Sequence, residues 1–277
     1  MDWRQFSTLV RPEAPLRYYR FGDGDGVLLI QGVGARGEVW RPQVEELSGR
    51  YAMVAFDNRG VGGSELGAGA LTIEAMADDA LAVMDAAGLA RFHVVGHSMG
   101  GVIAQAVALR APERVRSLAL LCTFARGRQA MRMSFDIVMT GLRTRIGPRA
   151  ARRRAFLELV VPPELLARRG PAALADELGR LFDRDLADQP PIVMKQLRAM
   201  KGYDALSRLA NLDKLSTLVV SAALDRIALP AFGRELAAAI PGARFVELAG
   251  LAHSCPIDAA PRVNALLADH FQSAAGA

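Results

Sequence analysis

The amino-acid sequence predicts an α/β domain, a mostly parallel central sheet with helices on both faces, carrying a helical cap insertion. Three observations predict it. Short apolar runs that read as strands alternate with segments of helical apolar spacing. That alternation stops after Phe124, gives way to about eighty residues with no strand pattern, and then resumes. The turn Gly96-His97-Ser98-Met99-Gly100 joins an apolar strand directly to an apolar helix.

Leu16–Phe21 and Val27–Gln31 flank the turn Gly22-Asp23-Gly24-Asp25-Gly26 and read as a hairpin-like strand pair. Tyr51–Phe56 is an apolar run ending at Asp57, as expected of a buried parallel strand. Residues 71–87 repeat apolar side chains at helical spacing (Ile73, Met76, Ala80, Leu81, Met84), opened by Thr72 and closed by Gly88. Phe92–His97 reads as a strand, Met99–Arg110 as a helix stopped before Pro112, and Val115–Cys122 as a further strand. Thr217–Ala222, a helix from Pro230 to Ile240, Ala243–Leu248 and a last helix from Pro256 to Phe271 complete the pattern.

These elements divide the chain into a first core part, 1–123, a helical cap, 124–205, and a second core part, 206–277. Within the middle part, Phe156, Leu157 and Val160 recur at helical spacing, and Pro162-Pro163 and Pro190-Pro191 separate helices. An insertion at this place is expected over the carboxyl edge of the sheet, where open α/β sheets put their sites.

Composition narrows the function classes. Of 277 residues, 51% are hydrophobic and 23% charged, enough for a large core and too apolar for disorder. The net charge of +5 invites a nucleic-acid reading. Lys195, Lys201 and Lys214 are the lysines, however, and the other 31 of 34 basic residues are arginine, with no aromatic interleaving on one element. We read this as surface charge, with no nucleic-acid partner. The first residues show no signal-peptide pattern, and runs such as Val27–Ile30 and Leu118–Cys122 are far too short to span a bilayer. Cys122 and Cys255 form no framework spacing, so a reducing, cytoplasmic setting is expected, with no membrane partner. Oligomeric state stays open.

Ser98 is the candidate nucleophile. A strand that reverses at once into a helix strains its turn residue and lifts the hydroxyl above the sheet edge. Such a hydroxyl needs a base. Of the four histidines, His93 sits within a strand, His97 leaves the turn in another direction, and His270 falls near a helix end, where a solvated histidine is expected. His253 lies in a loop between a strand and a helix, where the order Ser…Asp…His requires the base. Asp225, after the preceding strand, is the orienting acid, whereas Asp213 precedes its strand and belongs to the opposite edge.

With Gly96–Gly101, the stretch Phe56-Asp57-Asn58-Arg59-Gly60-Val61-Gly62-Gly63-Ser64 and the Asp225 and His253 contexts in place, the chain resembles the α/β-hydrolase fold superfamily, and its small esterase, enol-lactonase and methylesterase-like members in particular. The resemblance covers 16–123 and 206–272. It implies an oxyanion hole from the Val33 and Met99 amides, and a structural role for Asp57 and Arg59 beside the site. One departure is plain: Gln31-Gly32 stands where the family usually has His-Gly, making Gln31 a possible site-lining residue. Serine at 98 argues against the family's carboxylate nucleophiles.

The expected activity is hydrolysis of a carboxylic ester or lactone of a small acyl substrate with an apolar portion, through a Ser98 acyl-enzyme. Acyl transfer, carbon–carbon bond hydrolysis, perhydrolysis and a ligand-binding role use the same fold and stay open. No metal-ligand spacing or phosphate-cradling glycine loop stands out, so no cofactor is expected. The arginines of the insertion (Arg126, Arg128, Arg132, Arg143, Arg145, Arg149 and Arg152-Arg153-Arg154) read as solvated helix faces, with attraction of anionic substrates as the rival reading. Among Met131, Met133, Met139, Met194 and Met200, most are expected in the core and some on the pocket roof.

Overall fold

The computed structural model describes residues 1–131 and 135–275. Its strands are β1 (Ser7–Leu9), β2 (Leu16–Phe21), β3 (Asp25–Ile30), β4 (Tyr51–Phe56), β5 (Phe92–His97), β6 (Val115–Leu121), β7 (Thr217–Ala222) and β8 (Arg244–Leu248). They form one eight-stranded sheet in the order β1-β2-β4-β3-β5-β6-β7-β8, parallel except where β1 pairs with β2 and β2 with β4.

The central strands are apolar on both faces because both faces are covered. Side chains of a strand alternate faces, yet Val27, Leu28, Leu29 and Ile30 of β3 are all fully buried, as are Ala52–Phe56 of β4. Burying each large side chain of this kind contributes about 1.5–3 kcal/mol. Among the first helices are α1 (Arg41–Leu47), α2 (Ile73–Ala86) and α3 (Met99–Arg110). In α2, Thr72 caps the N-terminus by accepting a hydrogen bond from Ala75 N at 3.0 Å, the role its residue type predicts. From Met99 to Ala108 every residue of α3 is buried, so this helix is apolar all round and lies inside the fold, with α2 against it.

The expected hairpin of β2 and β3 does not form. β4 lies between them, antiparallel to β2 with Tyr18 opposite Phe56, and parallel to β3 with Val27 opposite Met53. The short connection crosses the start of β4, and a Cβ on Gly22 would stand 2.0 Å from Ser48 O. That close crossing, at positive φ, is what the glycines serve.

Between β6 and β7 come α4 (Phe135–Arg143), α5 (Arg149–Val160), α6 (Pro163–Arg169), α7 (Pro171–Phe182) and α8 (Ile192–Lys201). Pro163 and Pro171 open α6 and α7, where a missing N–H costs nothing. Leu157, Val161, Leu174, Ala175, Leu178 and Leu186 give this segment a small core of its own. Its ends meet: Gly127 N donates to Tyr203 O at 2.9 Å and Ala205 N to Ala125 O at 3.1 Å. The chain therefore enters and leaves this helical segment at one place.

After β7 comes α9 (Pro230–Ala239), and after β8 the expected last helix is two helices, α10 (Cys255–Asp258) and α11 (Ala260–Ala275). Pro261 has no N–H to donate to the preceding turn, so the helix cannot run on unbroken, and the break falls at Ala259 with Pro261 in the first turn of α11.

Candidate active site

The carboxyl ends of β3, β5, β6, β7 and β8 lie along one edge of the sheet, and the loops that follow them carry every candidate residue. Ser98 joins β5 to α3 with φ 56° and ψ −121°, a conformation that costs a non-glycine residue free energy and persists only where its surroundings enforce it. They do. Ser98 N donates to Leu121 O at 3.0 Å, and Thr123 Oγ1 donates to Ser98 O at 2.7 Å. A Cβ on Gly96 would stand 2.3 Å from Gly100 O, and one on Gly100 2.0 Å from Ile30 O, so both flanking glycines answer to close packing.

Asp225 and His253 come together across two loops. His253 Nδ1 donates to Asp225 Oδ2 at 2.7 Å, while Asp225 Oδ1 accepts from Ile227 N at 2.8 Å and Ala228 N at 2.9 Å. Burial of Asp225 pushes its carboxyl upward, but the His253 ring and the two amides outweigh this and hold it below the usual carboxylate range. Among the described residues, no hydrogen bond joins Ser98 Oγ to the His253 ring. The serine is set by its turn and the histidine by Asp225, and such contacts often close only when substrate is bound.

The loop after β3 runs past Ser98. A Cβ on Gly32 would stand 3.6 Å from Ser98 Oγ, and the next residue is Val33. Gln31 is buried and turns back on this loop, its Oε1 accepting from Gly32 N at 2.8 Å. The glutamine thus braces the loop from inside. Asp57 braces neighbouring backbone, accepting from Gly37 N and Gly63 N, and Arg59 pairs with the side chain of the buried Asp79 at 2.5 Å.

Several residues escaped sequence reasoning. His97, set aside because it leaves the turn, packs its ring 4.7 Å from that of His253, and its Nε2 donates to His253 O at 2.9 Å. Burial and the neighbouring His253 push His97 down to about 3, so this ring stays neutral. Cys122, at φ 47°, brings its Sγ 3.6 Å from that of Cys255. The Cys255 thiol and burial push Cys122 well above the usual thiol range. His270 corrects an expectation: it is buried, and its Nε2 donates to Leu118 O at 3.1 Å. Asp213 is exposed and takes no part.

The β6–β7 helices reach three of these loops. Gln196 of α8 is fully buried, and its Oε1 accepts from Gly34 N at 2.8 Å. Arg226, next to Asp225, donates to Glu158 O at 3.1 Å. Ser254, next to His253, donates from its N–H to Val160 O at 2.9 Å. No spacing in the sequence signals these ties, because each joins segments far apart in the chain. Of the methionines, Met200 is buried in the main core, whereas Met139 and Met194 are 40% and 52% exposed. Arg132, Met133 and the side chain of Met131 lie outside the described residues.

A mostly parallel eight-stranded sheet whose central strand turns through a strained serine into a buried helix is the architecture of an α/β-hydrolase-fold enzyme. The family model of the alpha/beta hydrolase fold matches residues 26–260, and the chain belongs to that family, an enzyme of the hydrolase class. It is 34% identical to the candidate carbamate hydrolase RutD of Azorhizobium caulinodans over 246 residues, 87% of this chain and 89% of that one. Among solved structures it is similar to the enol-lactonase of Burkholderia xenovorans, with TM-score 0.79 and 29% identity over 96% of this chain and 100% of that one. A thermophilic esterase from Thermogutta terrifontis is similar too, with TM-score 0.78 and 25% identity over 98% of this chain and 99% of that one. Among the described residues, no helix is long and apolar enough to cross a membrane.

Proposed function

We propose that the chain hydrolyses a carboxylic ester or lactone through an acyl-enzyme on Ser98. The observation that carries this reading is a strained serine on the sheet edge that also bears the Asp225–His253 pair at 2.7 Å. His253 takes the serine proton through Nε2, because Asp225 holds the other ring nitrogen as N–H and stabilises the imidazolium. Ser98 Oγ adds to the carbonyl carbon. The amides of Val33 and Met99 stabilise the oxyanion, an effect worth about 10²–10³ in kcat per donor, and the N-terminus of α3 adds partial positive charge. His253 then protonates the leaving oxygen and activates the water that releases the acid.

The helices of 124–205 act as the cap in this reading, supported by their ties to the loops of Gly34, Asp225 and His253. The relatives described as candidate carbamate hydrolases favour a second substrate class, since a carbamate presents the same carbonyl to the serine. The setting is the cytoplasm, where Cys122 and Cys255 remain thiols.

The test is active-site labelling. A fluorophosphonate probe should modify Ser98 in the native chain, and Ser98→Ala should abolish both labelling and turnover of short p-nitrophenyl esters. Full esterase activity in Ser98→Ala would overturn the proposal. Comparing esters, lactones and carbamates on the wild type then ranks the substrate classes.

A further inference from the structure

The acyl chemistry leaves one group of donors unexplained. Cys122 Sγ and a ring nitrogen from each of His97 and His253 lie within 4.8 Å of one another. They come from the ends of β5 and β6 and from the loop after β8, so no sequence spacing announces them.

Each histidine already commits one ring nitrogen to an oxygen. His97 Nε2–H donates to His253 O at 2.9 Å, and His253 Nδ1–H donates to Asp225 Oδ2 at 2.7 Å. Metal-ligating histidines are held in this way: the bond at one nitrogen fixes the tautomer and leaves the lone pair of the other available. Two imidazoles and a thiolate form a set of nitrogen and sulfur donors that suits zinc or cadmium and not magnesium or calcium. Bonds of about 2.0–2.3 Å to a tetrahedral ion put donors about 3.3–3.8 Å apart, so the three need close by no more than about 1–1.5 Å.

We propose that His97, Cys122 and His253 form an inhibitory site for a thiophilic divalent cation, zinc or cadmium, which shuts off the acyl chemistry at Ser98. The inhibitory part rests on the reading of His253 as base. An ion on His253 Nε2 takes the lone pair that would receive the serine proton, and an ion on Nδ1 displaces Asp225. Either way the imidazole no longer cycles between its two protonation states. Binding releases the Cys122 proton to solvent and involves no electron transfer.

The experiment uses the full chain after treatment with EDTA, titrated with Cd²⁺ and followed by the ultraviolet charge-transfer absorption of the cadmium–thiolate bond. One ion per chain with that absorption is expected, lost in Cys122→Ser and kept in Cys255→Ser, whose sulfur stands 3.6 Å from that of Cys122. Zn²⁺ should stop ester turnover reversibly while Mg²⁺ does not. Relative to its own metal-free rate, Cys122→Ser should need at least about tenfold more Zn²⁺. Should Cys122→Ser fail to fold, His97→Gln is read in its place and should weaken Cd²⁺ binding by a similar factor. No absorption in the wild type, or absorption that persists in folded Cys122→Ser, overturns the site. The absorption needs no turnover, so a failed acyl reading is seen separately: bound cadmium without fluorophosphonate labelling of Ser98 supports the site and overturns its inhibitory role.

Discussion

The sheet and the helices between β6 and β7 are held together by different physics. In the sheet, strands such as β4 bury every side chain, and the strand ends deliver Ser98, Asp225 and His253 to one edge by backbone register. The described residues of the helical segment have a small apolar core of their own and a surface network of arginines. Arg149 and Arg153 both pair with Asp185, at 2.5 and 2.6 Å, and Arg154 pairs with Glu158 at 2.9 Å. The arginines that looked like solvated helix faces are therefore largely matched to acids of the same segment. Hydrogen bonding from Arg153, the Ala187 amide and Arg149 holds the Asp185 carboxyl far below its ordinary range. The contrast teaches that apolar burial fixes the sheet edge, whereas charge pairs and a few hydrogen bonds hold the helices between β6 and β7 and tie them to its loops.

The comparison breaks hardest at the sheet edge. Asp225→Asn keeps an oxygen for Ile227 N and Ala228 N but presents an amide N–H to His253 Nδ1, favouring the wrong tautomer. The expected outcome is a kcat loss of about 10⁴-fold with a nearly unchanged melting curve. A loss of a few fold would show that the pair at 2.7 Å is structural.

Gln196→Leu tests the helical segment from its own side. It removes the acceptor for Gly34 N, leaving a buried N–H unpaired at a cost of about 1–3 kcal/mol. The expected result is a fall in kcat of about ten- to a hundredfold with KM little changed, because the loop of Val33 loses its brace. Gln196→Glu keeps an acceptor and should recover most of the rate. Equal losses in both variants would deny Gln196 a positioning role.

Acid should loosen the sheet through its buried histidines. Burial pushes His93 and His270 down to about 4 each, below the ordinary value near 6.5. A depressed base takes up protons more readily when unfolded, so stability is full above the unfolded value and falls between about pH 6.5 and pH 4. Each histidine should contribute about 3 kcal/mol to that fall, read from urea melts across the range. His270→Gln should flatten the slope. The smallest effect belongs to the exposed pairs: Arg153→Ala should lower the melting temperature slightly in low salt and not at all in high salt.

Which features were legible follows from these same forces. Fully buried apolar runs, the caps and the serine turn are local signals, and they give β4, β5, α2 and the Ser98 junction nearly residue for residue. Asp225 and His253 were legible as loop residues after strands, since the order of elements already assigns them an edge. The failures are long-range. The β2–β3 hairpin was misread because the insertion of β4 depends on pairing with residues about thirty positions away. A last helix ending at Phe271 makes His270 look terminal, but α11 continues to Ala275, which puts His270 well inside the helix and against β6. His97, Cys122 and Gln196 meet their partners only through the folded sheet edge.

The crossing at Gly22 carries a consequence for how the molecule assembles. The chain cannot zip its strands in order, since β2 and β3 never touch as neighbours and each waits for β4 to arrive between them. Apart from the local pairing of β1 with β2, native pairing in the first third of the protein therefore has to close the loop to β4 first, and that entropy is lost early. The edge formed by β1 and β2 should be among the last parts to protect their amides during refolding, behind a nucleus centred on β3, β4 and β5. Pulsed hydrogen exchange would show that order directly, and early protection of β2 would reverse it.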